Sequence, residues 1–332
     1  MVFLTTSWPR DPSDFAGRVF ADLAERLRQR GVDVDVVAPG VFRDFGLAYG
    51  AGMTANARRR PWALPPMLAS MAAAVRRAAR TADLVHAFWL PTAAAAVLAH
   101  KPVVVTIAGT DMELAGRAPR LGAWALKRAR VVLAVSEALA KQARVLGAHD
   151  VRVVHTGLTL PEDCGTEADP PEVLYAGRLS AEKGVEDLAA ASEGLNLVVA
   201  GDGPLRALFP QALGMLSREE LFAVMRRTAV VVCPSRRDGF PVVCAEALAH
   251  ARPVVASAVG GLPDMVVDAA TGILVSPRDP QALRAAIERL LGDRELRRRL
   301  GEAGRRRIAE ICDWDRVVDA HLTAYADALR SG

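Results

Sequence analysis

The chain has 332 residues, more than one hydrophobic core usually carries, so two domains of about 150 residues each are expected. Its 42 Lys and Arg against 38 Asp and Glu leave a net charge of only +4, and aromatics are 5% of the residues; both argue against a nucleic-acid partner, which needs a clustered basic face with stacking rings. No apolar run approaches the ~18–20 residues that span a bilayer, and Cys164, Cys233, Cys244 and Cys312 lack metal-ligand spacing, so neither a membrane span nor a structural zinc is expected and a reducing cytoplasm is the simplest home.

Met1 to Thr6 is short and uncharged and reads as a strand rather than a leader. Val2–Thr6 leads through a polar loop, Ser7 to Asp14, into a helix over 16–30 with Phe20, Leu23, Ala24 and Leu27 at helical spacing, and Gly31 stops it. Gly17 at the helix start either lets a ligand approach the backbone or lets helix and sheet pack closely. A strand follows at Val32–Ala38, then an irregular stretch, 40–66, that holds Tyr49, Trp62 and the run Arg58–Arg60. The helix expected over 66–80 carries Met67, Leu68, Met71 and Val75 on one stripe and Arg76, Arg77 and Arg80 at its end; such a basic amphipathic helix can lie in a membrane interface or cover a sheet.

Three strand–helix pairs come next: Leu84–Phe88 with 91–99, Val103–Ile107 with 117–129, and Val131–Val135 with 137–146. Val151–Val154 closes the first half. Strands alternating with helices at this density predict a parallel sheet covered on both faces. Residues 155–171, with three prolines and Gly157 and Gly165, read as the linker.

The second half opens with the strand Val173–Ala176 and the loop Gly177-Arg178-Leu179-Ser180-Ala181-Glu182-Lys183-Gly184, where a glycine frees the backbone and two cations arrive at one strand end. Leu195–Ala200 ends in Gly201-Asp202-Gly203-Pro204, and only Leu205 to Leu213 separates that turn from Gly214. Met215-Leu216-Ser217 follows, with Ser217 capping a helix through Arg226. Val230–Val232 then runs into Pro234, a polar loop from Ser235 to Phe240, a helix over 241–250, the strand Val254–Ser257 and Gly260-Gly261. Such a unit places its loops, and a helix N-terminus with free N–H groups, at the carboxyl edge of a parallel sheet, where phosphate is the natural guest. Seven residues separate Asp238 from Glu246, too far for a tight acid–base dyad, so both read as hydroxyl acceptors. Ile273–Val275 and helices over 279–291, 293–310 and 314–329 complete the chain.

The order Pro-Ser, acidic residue, Gly-Phe, then Glu-Ala, Pro-Val-Val-Ala and Gly-Gly across 234–261 resembles the donor-site motif of retaining glycosyltransferases of family 4. Gly177-Arg178-Leu179 through Gly184, and the acceptor-side segments 82–87, 103–111 and 134–136, resemble the same family, so the likeness covers nearly the whole chain. It implies an α/β GT-B fold, two doubly wound Rossmann-like domains facing each other across a cleft: an acceptor-side domain over 1–155 with a returning helix over 314–330, and a donor domain over 172–312. It implies transfer of a sugar from a nucleotide diphosphate sugar to the hydroxyl of a glycan, lipid or small molecule, without metal or other cofactor.

By the same resemblance Arg178 and Lys183 hold the diphosphate, Glu246 the ribose and Asp238 the sugar, and the backbone at Gly239, Phe240, Pro241 and Val242 takes phosphate or sugar oxygens. Gly17 and Gly201 line the phosphate side, and Met215 and Leu216 face the base. Two residues depart from the pattern. Asp238 stands where the family usually has Glu, and Ala108 where it commonly has a His pointing at the donor sugar; a methyl group can neither donate a hydrogen bond nor move a proton. His86, expected at the end of a neighbouring strand, is the candidate substitute, its other reading being a partly buried His bonded to backbone, and Asp111 is placed to meet an acceptor hydroxyl. Two further readings stay open: an epimerase on the same fold, and a catalytically weak nucleotide-sugar-binding protein.

Overall fold

The computed structural model describes residues 1–11, 14, 17–49, 53–109 and 119–330. The chain divides into two compact units, Met1–Gly157 with Asp315–Gly332, and Leu158–Trp314.

In the N-terminal unit, β1 (Val2–Leu4), β2 (Asp35–Val37), β3 (Val85–Phe88), β4 (Val103–Ile107), β5 (Val131–Ala134) and β6 (Val151–Val153) form one parallel sheet in the order β2-β1-β3-β4-β5-β6. The central strands β3, β4 and β5 are buried along their length, as a sheet covered on both faces requires, with β4 a β-branched run and β3 carrying His86 among apolar residues. The chain leaves β1 toward β2 and then crosses to β3, so the winding direction reverses between β1 and β3.

The helix Leu64–Ala78 starts two residues earlier than its sequence suggests, and a further helix, Met53–Arg59, stands in the stretch read as irregular. Met67, Met71 and Val75 are buried under it while Arg76, Arg77 and Arg80 are exposed. The apolar stripe therefore covers the unit's own core, as the second of the two readings of this helix has it. Among the described residues no helix is long and apolar enough to cross a membrane.

The helix Trp314–Arg330 belongs to the N-terminal unit, to which it is fastened by polar contacts as well as packing. Arg30 reaches Asp315 at 2.7 Å and Asp319 at 2.8 Å, and Arg152 reaches Asp327 at 2.8 Å. Deeper in, Tyr325 meets His86.

The C-terminal unit carries β7 (Glu172–Ala176), β8 (Leu197–Ala200), β9 (Thr228–Cys233), β10 (Val254–Ser257) and β11 (Gly272–Val275), all parallel, in the order β11-β10-β9-β7-β8. Here the reversal lies between β7 and β9, and its core includes Val173, Tyr175, Val185, Leu188, Val230 and Ile287. The short helix Val185–Ala191 has no counterpart in the sequence reading. The abbreviated connection after β8 holds one 3-10 turn, Arg206–Leu208, closed by an isolated bridge between Gly201 and Gly214.

Candidate active site

In an open parallel sheet the loops at the carboxyl ends of the two strands flanking the reversal form the natural ligand crevice. In the C-terminal unit these are the loops after β7 and β9, and they are locked together. A Cβ on Gly184, whose φ is 67°, would lie 1.9 Å from the carbonyl oxygen of Pro234, so the approach admits only glycine. The backbone N–H groups of Arg236 and Arg237 donate to the carbonyl of Glu182, at 2.9 and 3.3 Å. Arg236 also forks onto Asp187, 2.9 and 3.1 Å away, and onto Glu186.

This clamp brings two of the expected site residues into contact. Lys183, in the 3-10 turn Ala181–Lys183, places its Nζ 2.6 Å from Oδ2 of Asp238, and the Ser235 hydroxyl donates to the same oxygen at 3.1 Å. Lys183 and Asp238 were read as holding different parts of a ligand; here they hold each other. Arg178 is exposed at the same strand end, with its carbonyl accepting from the Tyr175 hydroxyl at 2.8 Å. Gly201 carries φ 135°, and a Cβ there would meet the Gly177 carbonyl oxygen at 1.9 Å, so the turn after β8 seats directly on the loop after β7.

Beyond Asp238 the chain passes buried Gly239 and Phe240 and enters the helix Val242–Ala249. Its N-cap is Pro241, with no side-chain cap bond; the Cys244 N–H donates to the Pro241 carbonyl at 3.0 Å, which leaves the N–H groups of Val242 and Val243 at the positive end of the helix dipole. Val242 itself is exposed. Glu246, one turn on, has a side chain only 9% exposed, and Arg218 Nη2 lies 3.4 Å from its Oε1. Burial raises the Glu246 carboxyl from its ordinary 4.5 to about 7, with Arg218 opposing the shift. Arg218 follows the stretch expected to face a base, in which Met215 is 74% exposed and Leu216 half-buried.

In the N-terminal unit the outcome differs residue by residue. What closes on Gly17, whose φ is 73°, is the chain's own Ser7 carbonyl oxygen, 2.2 Å from where a Cβ would stand. His86 is corrected: it is the second residue of β3, paired in register with Phe3 and Val104, and fully buried. Its Nδ1 lies 2.8 Å from the Tyr325 hydroxyl and its Nε2 2.7 Å from Oγ1 of Thr106. One ring nitrogen is thus engaged by the helix Trp314–Arg330 and the other by β4, and burial holds the pKa well below the ordinary value, so the ring is committed within the fold and does not stand at the sheet's edge. Asp111 lies outside the described residues. Ala108 follows directly on β4, at the sheet's carboxyl edge.

Sequence reasoning passed over Trp89. It stands at the carboxyl end of β3, beside the reversal in this sheet, with φ 82° and ψ 147°, a region close to glycine's own. Among the described residues its buried indole N–H has no partner. The available signal was a Trp between a strand and a Leu-Pro helix start, which is weak.

Comparison with known proteins gives the family. Residues 16–160 match the model of "Glycosyltransferase Family 4" and residues 159–307 that of "Glycosyl transferases group 1". A glycogen synthase of Mycobacterium tuberculosis is 30% identical, over 75% of this chain and 69% of the relative. Among solved structures, sucrose-phosphate synthase from Thermosynechococcus elongatus superposes with a TM-score of 0.83 at 22% identity, covering 100% of this chain and 99% of that one. Anabaena Alr3699/HepE in complex with UDP-glucose gives a TM-score of 0.72 at 19% identity, over 97% and 99%. The two family models adjoin near residue 160, where the two compact units also meet in sequence, and together they cover every strand but β1. With two doubly wound parallel sheets, a clamped pair of loops at the second reversal and these relatives, this chain belongs to the family 4 glycosyltransferases of the GT-B fold class.

Proposed function

We propose that the chain transfers a sugar, with retention at the anomeric carbon, from a nucleotide diphosphate sugar to a hydroxyl of a carbohydrate or other polyhydroxylated acceptor. The observation that carries this reading is the Lys183–Asp238 contact beside the N-terminus of the helix Val242–Ala249, at the reversal between β7 and β9. A cation, a carboxylate and a helix N-terminus at one sheet edge are the groups that a diphosphate joined to a sugar calls for. In this reading Lys183 and Arg178 take the diphosphate and stabilise its charge as the bond to the sugar breaks, with no metal ion assigned to that task. Asp238, relieved of Lys183, accepts a sugar hydroxyl, and Glu246 accepts from the ribose.

The relatives support the substrate class: HepE is described with UDP-glucose, and glycogen synthase and sucrose-phosphate synthase are named for saccharide products. Ala108 favours a slow enzyme, since a methyl group gives no hydrogen bond to the sugar.

Calorimetry against a panel of nucleotide sugars, followed by mass spectrometry of donor and products with saccharide acceptors, tests the reading. Donor binding with acceptor-dependent product is the expected outcome. Interconversion of the sugar with no acceptor present would point to epimerisation, and binding without turnover to a sensor; either would overturn transfer.

A further inference from the structure

Resting on the assignment of Glu246 to the ribose, we propose that Arg218 is a positioning residue for nucleotide recognition: its guanidinium holds the Glu246 carboxylate charged and aimed, and so sets the preference for ribonucleotides over 2′-deoxyribonucleotides.

Arg218 is the first residue of the helix Arg218–Arg227, where the positive end of the helix dipole disfavours a cation, so its presence calls for a local partner. That partner is Glu246, 3.4 Å away and nearly buried. The arm is held in place from both ends. At its base, the Ser217 hydroxyl accepts from the Glu220 N–H at 3.2 Å, and the Glu220 carboxylate accepts from the Ser217 N–H at 2.7 Å, a reciprocal cap that fixes where the helix begins. At its tip, the guanidinium stacks 4.9 Å above the ring of Phe222, one turn on. Phe222 in turn packs edge-on against His250, at 4.8 Å, and His250 ends the helix that carries Glu246. The ion pair and this aromatic bridge run side by side and join the helix after the base-facing stretch to the helix of the ribose contact.

The chemistry needs the charge. A carboxylate accepts from both hydroxyls of a ribose, whereas a carboxylic acid gives up part of that capacity to its own proton. Buried as it is, Glu246 titrates near neutrality even with Arg218 beside it. The other titratable groups nearby act elsewhere: His250 bonds through Nδ1 to the Glu246 carbonyl at 2.8 Å and is faced by Arg252, Arg226 and Arg305. Loss of Arg218 removes the cation that opposes protonation, and the carboxyl titrates at higher pH.

The test measures, by calorimetry between pH 6 and 9, the affinity for whichever of UDP, GDP and ADP binds most tightly and for its 2′-deoxy analogue. For the native protein the ribose preference is expected to rise with pH around a midpoint near 7. In Arg218→Ala the midpoint moves up by about one unit, so that the preference falls several-fold at pH 7 and returns at pH 9. Arg218→Lys keeps the cation and restores most of the midpoint, and Lys183→Ala weakens both nucleotides without moving it. Thermal unfolding of each variant confirms folding; should Arg218→Ala fail to fold, Arg218→Gln takes its place. An unchanged midpoint in the neutral variant overturns the role of Arg218 alone. Absence of any ribose preference, or of nucleotide binding, in the native protein overturns the ribose assignment beneath it.

Discussion

Lys183 and Asp238, 55 residues apart in the chain, share one short hydrogen bond, Nζ to Oδ2 at 2.6 Å, between the loops that leave β7 and β9. The pair keeps a cation and a carboxylate at the same strand ends without leaving either uncompensated. In the proposed function a donor exchanges that bond for two new ones, diphosphate to Lys183 and sugar hydroxyl to Asp238.

The two partners should therefore respond differently to mutation. Lys183→Ala removes a charge-assisted contact and is expected to weaken nucleotide diphosphate binding by about 1.5–3 kcal/mol, roughly tenfold or more. Asp238→Asn frees Lys183, so nucleotide diphosphate affinity should hold or rise while sugar transfer falls. Calorimetry paired with product assays separates these, and a parallel loss in both variants would mean the pair is only structural.

Glu246 makes a prediction about stability. Its carboxyl titrates near 7 in the fold against an ordinary 4.5, chiefly because burial disfavours the charge. The folded state thus binds the extra proton between those values, and stability falls as pH rises from about 4.5 to 7, by roughly 3 kcal/mol at most. Glu246→Gln should abolish this loss and raise the midpoint of urea unfolding at pH 8, while removing the preference for ribonucleotides. A variant less stable at pH 8 than the native protein would contradict the burial cost.

The buried histidines act in the opposite sense. Burial lowers His321 from 6.5 to about 4 and holds His86 well below its ordinary value, so both fold neutral. The unfolded chain binds those protons first, and stability present above pH 6.5 is lost as pH falls toward 4, by roughly 3 kcal/mol for His321. Over this range Glu246 opposes the histidines, so the readout is the difference between variants: from pH 7.5 to 5 in denaturant unfolding, His321→Gln should lose less stability than the native protein.

Two glycines with positive φ separate backbone strain from collision. At Gly214, φ 78°, a Cβ would meet nothing within 4 Å, and alanine should cost about 1 kcal/mol. At Gly260, φ 56°, a Cβ would stand 1.7 Å from the carbonyl oxygen of Asp238, so Gly260→Ala must displace the very loop that carries the acid. A loss of several kcal/mol in urea unfolding, or a folded variant with impaired donor binding, is expected there.

Ala108 supplies a gain-of-function test. Restoring an imidazole by Ala108→His should raise the transfer rate, because a hydrogen bond that strengthens in the transition state is worth up to a few kcal/mol. Turnover measured at saturating donor decides it, and an unchanged rate would show that this position takes no part in the chemistry.

How far the sequence reached depended on the range of the interaction. Buried parallel strands such as Val103–Ile107 announce themselves as β-branched runs, and the loop after β9 is marked by Pro234 and Gly239, whose backbone constraints are local. The helix Val185–Ala191 escaped because its seven residues are too few to show a period and it begins at a glycine. His86 was misplaced for a different reason: a His in mid-strand is tolerable only with both nitrogens satisfied, and one partner, Tyr325, lies 239 residues away. The contact of Lys183 with Asp238 was equally hidden, since motif spacing tells which residues gather at a site but not which of them pair.

The helix Trp314–Arg330 carries a consequence for biosynthesis. The C-terminal unit is one continuous span, Leu158–Trp314, set between the bulk of the N-terminal unit and this helix. On a ribosome the first sheet emerges before the second, yet its buried His86 waits for Tyr325, which is translated only after the whole C-terminal unit. The later unit is thus free to mature before the earlier one, and the final helix acts as a time stamp. Ribosome-stalled chains ending near residue 313 should contain a protease-resistant C-terminal unit beside an N-terminal one that is still readily cut.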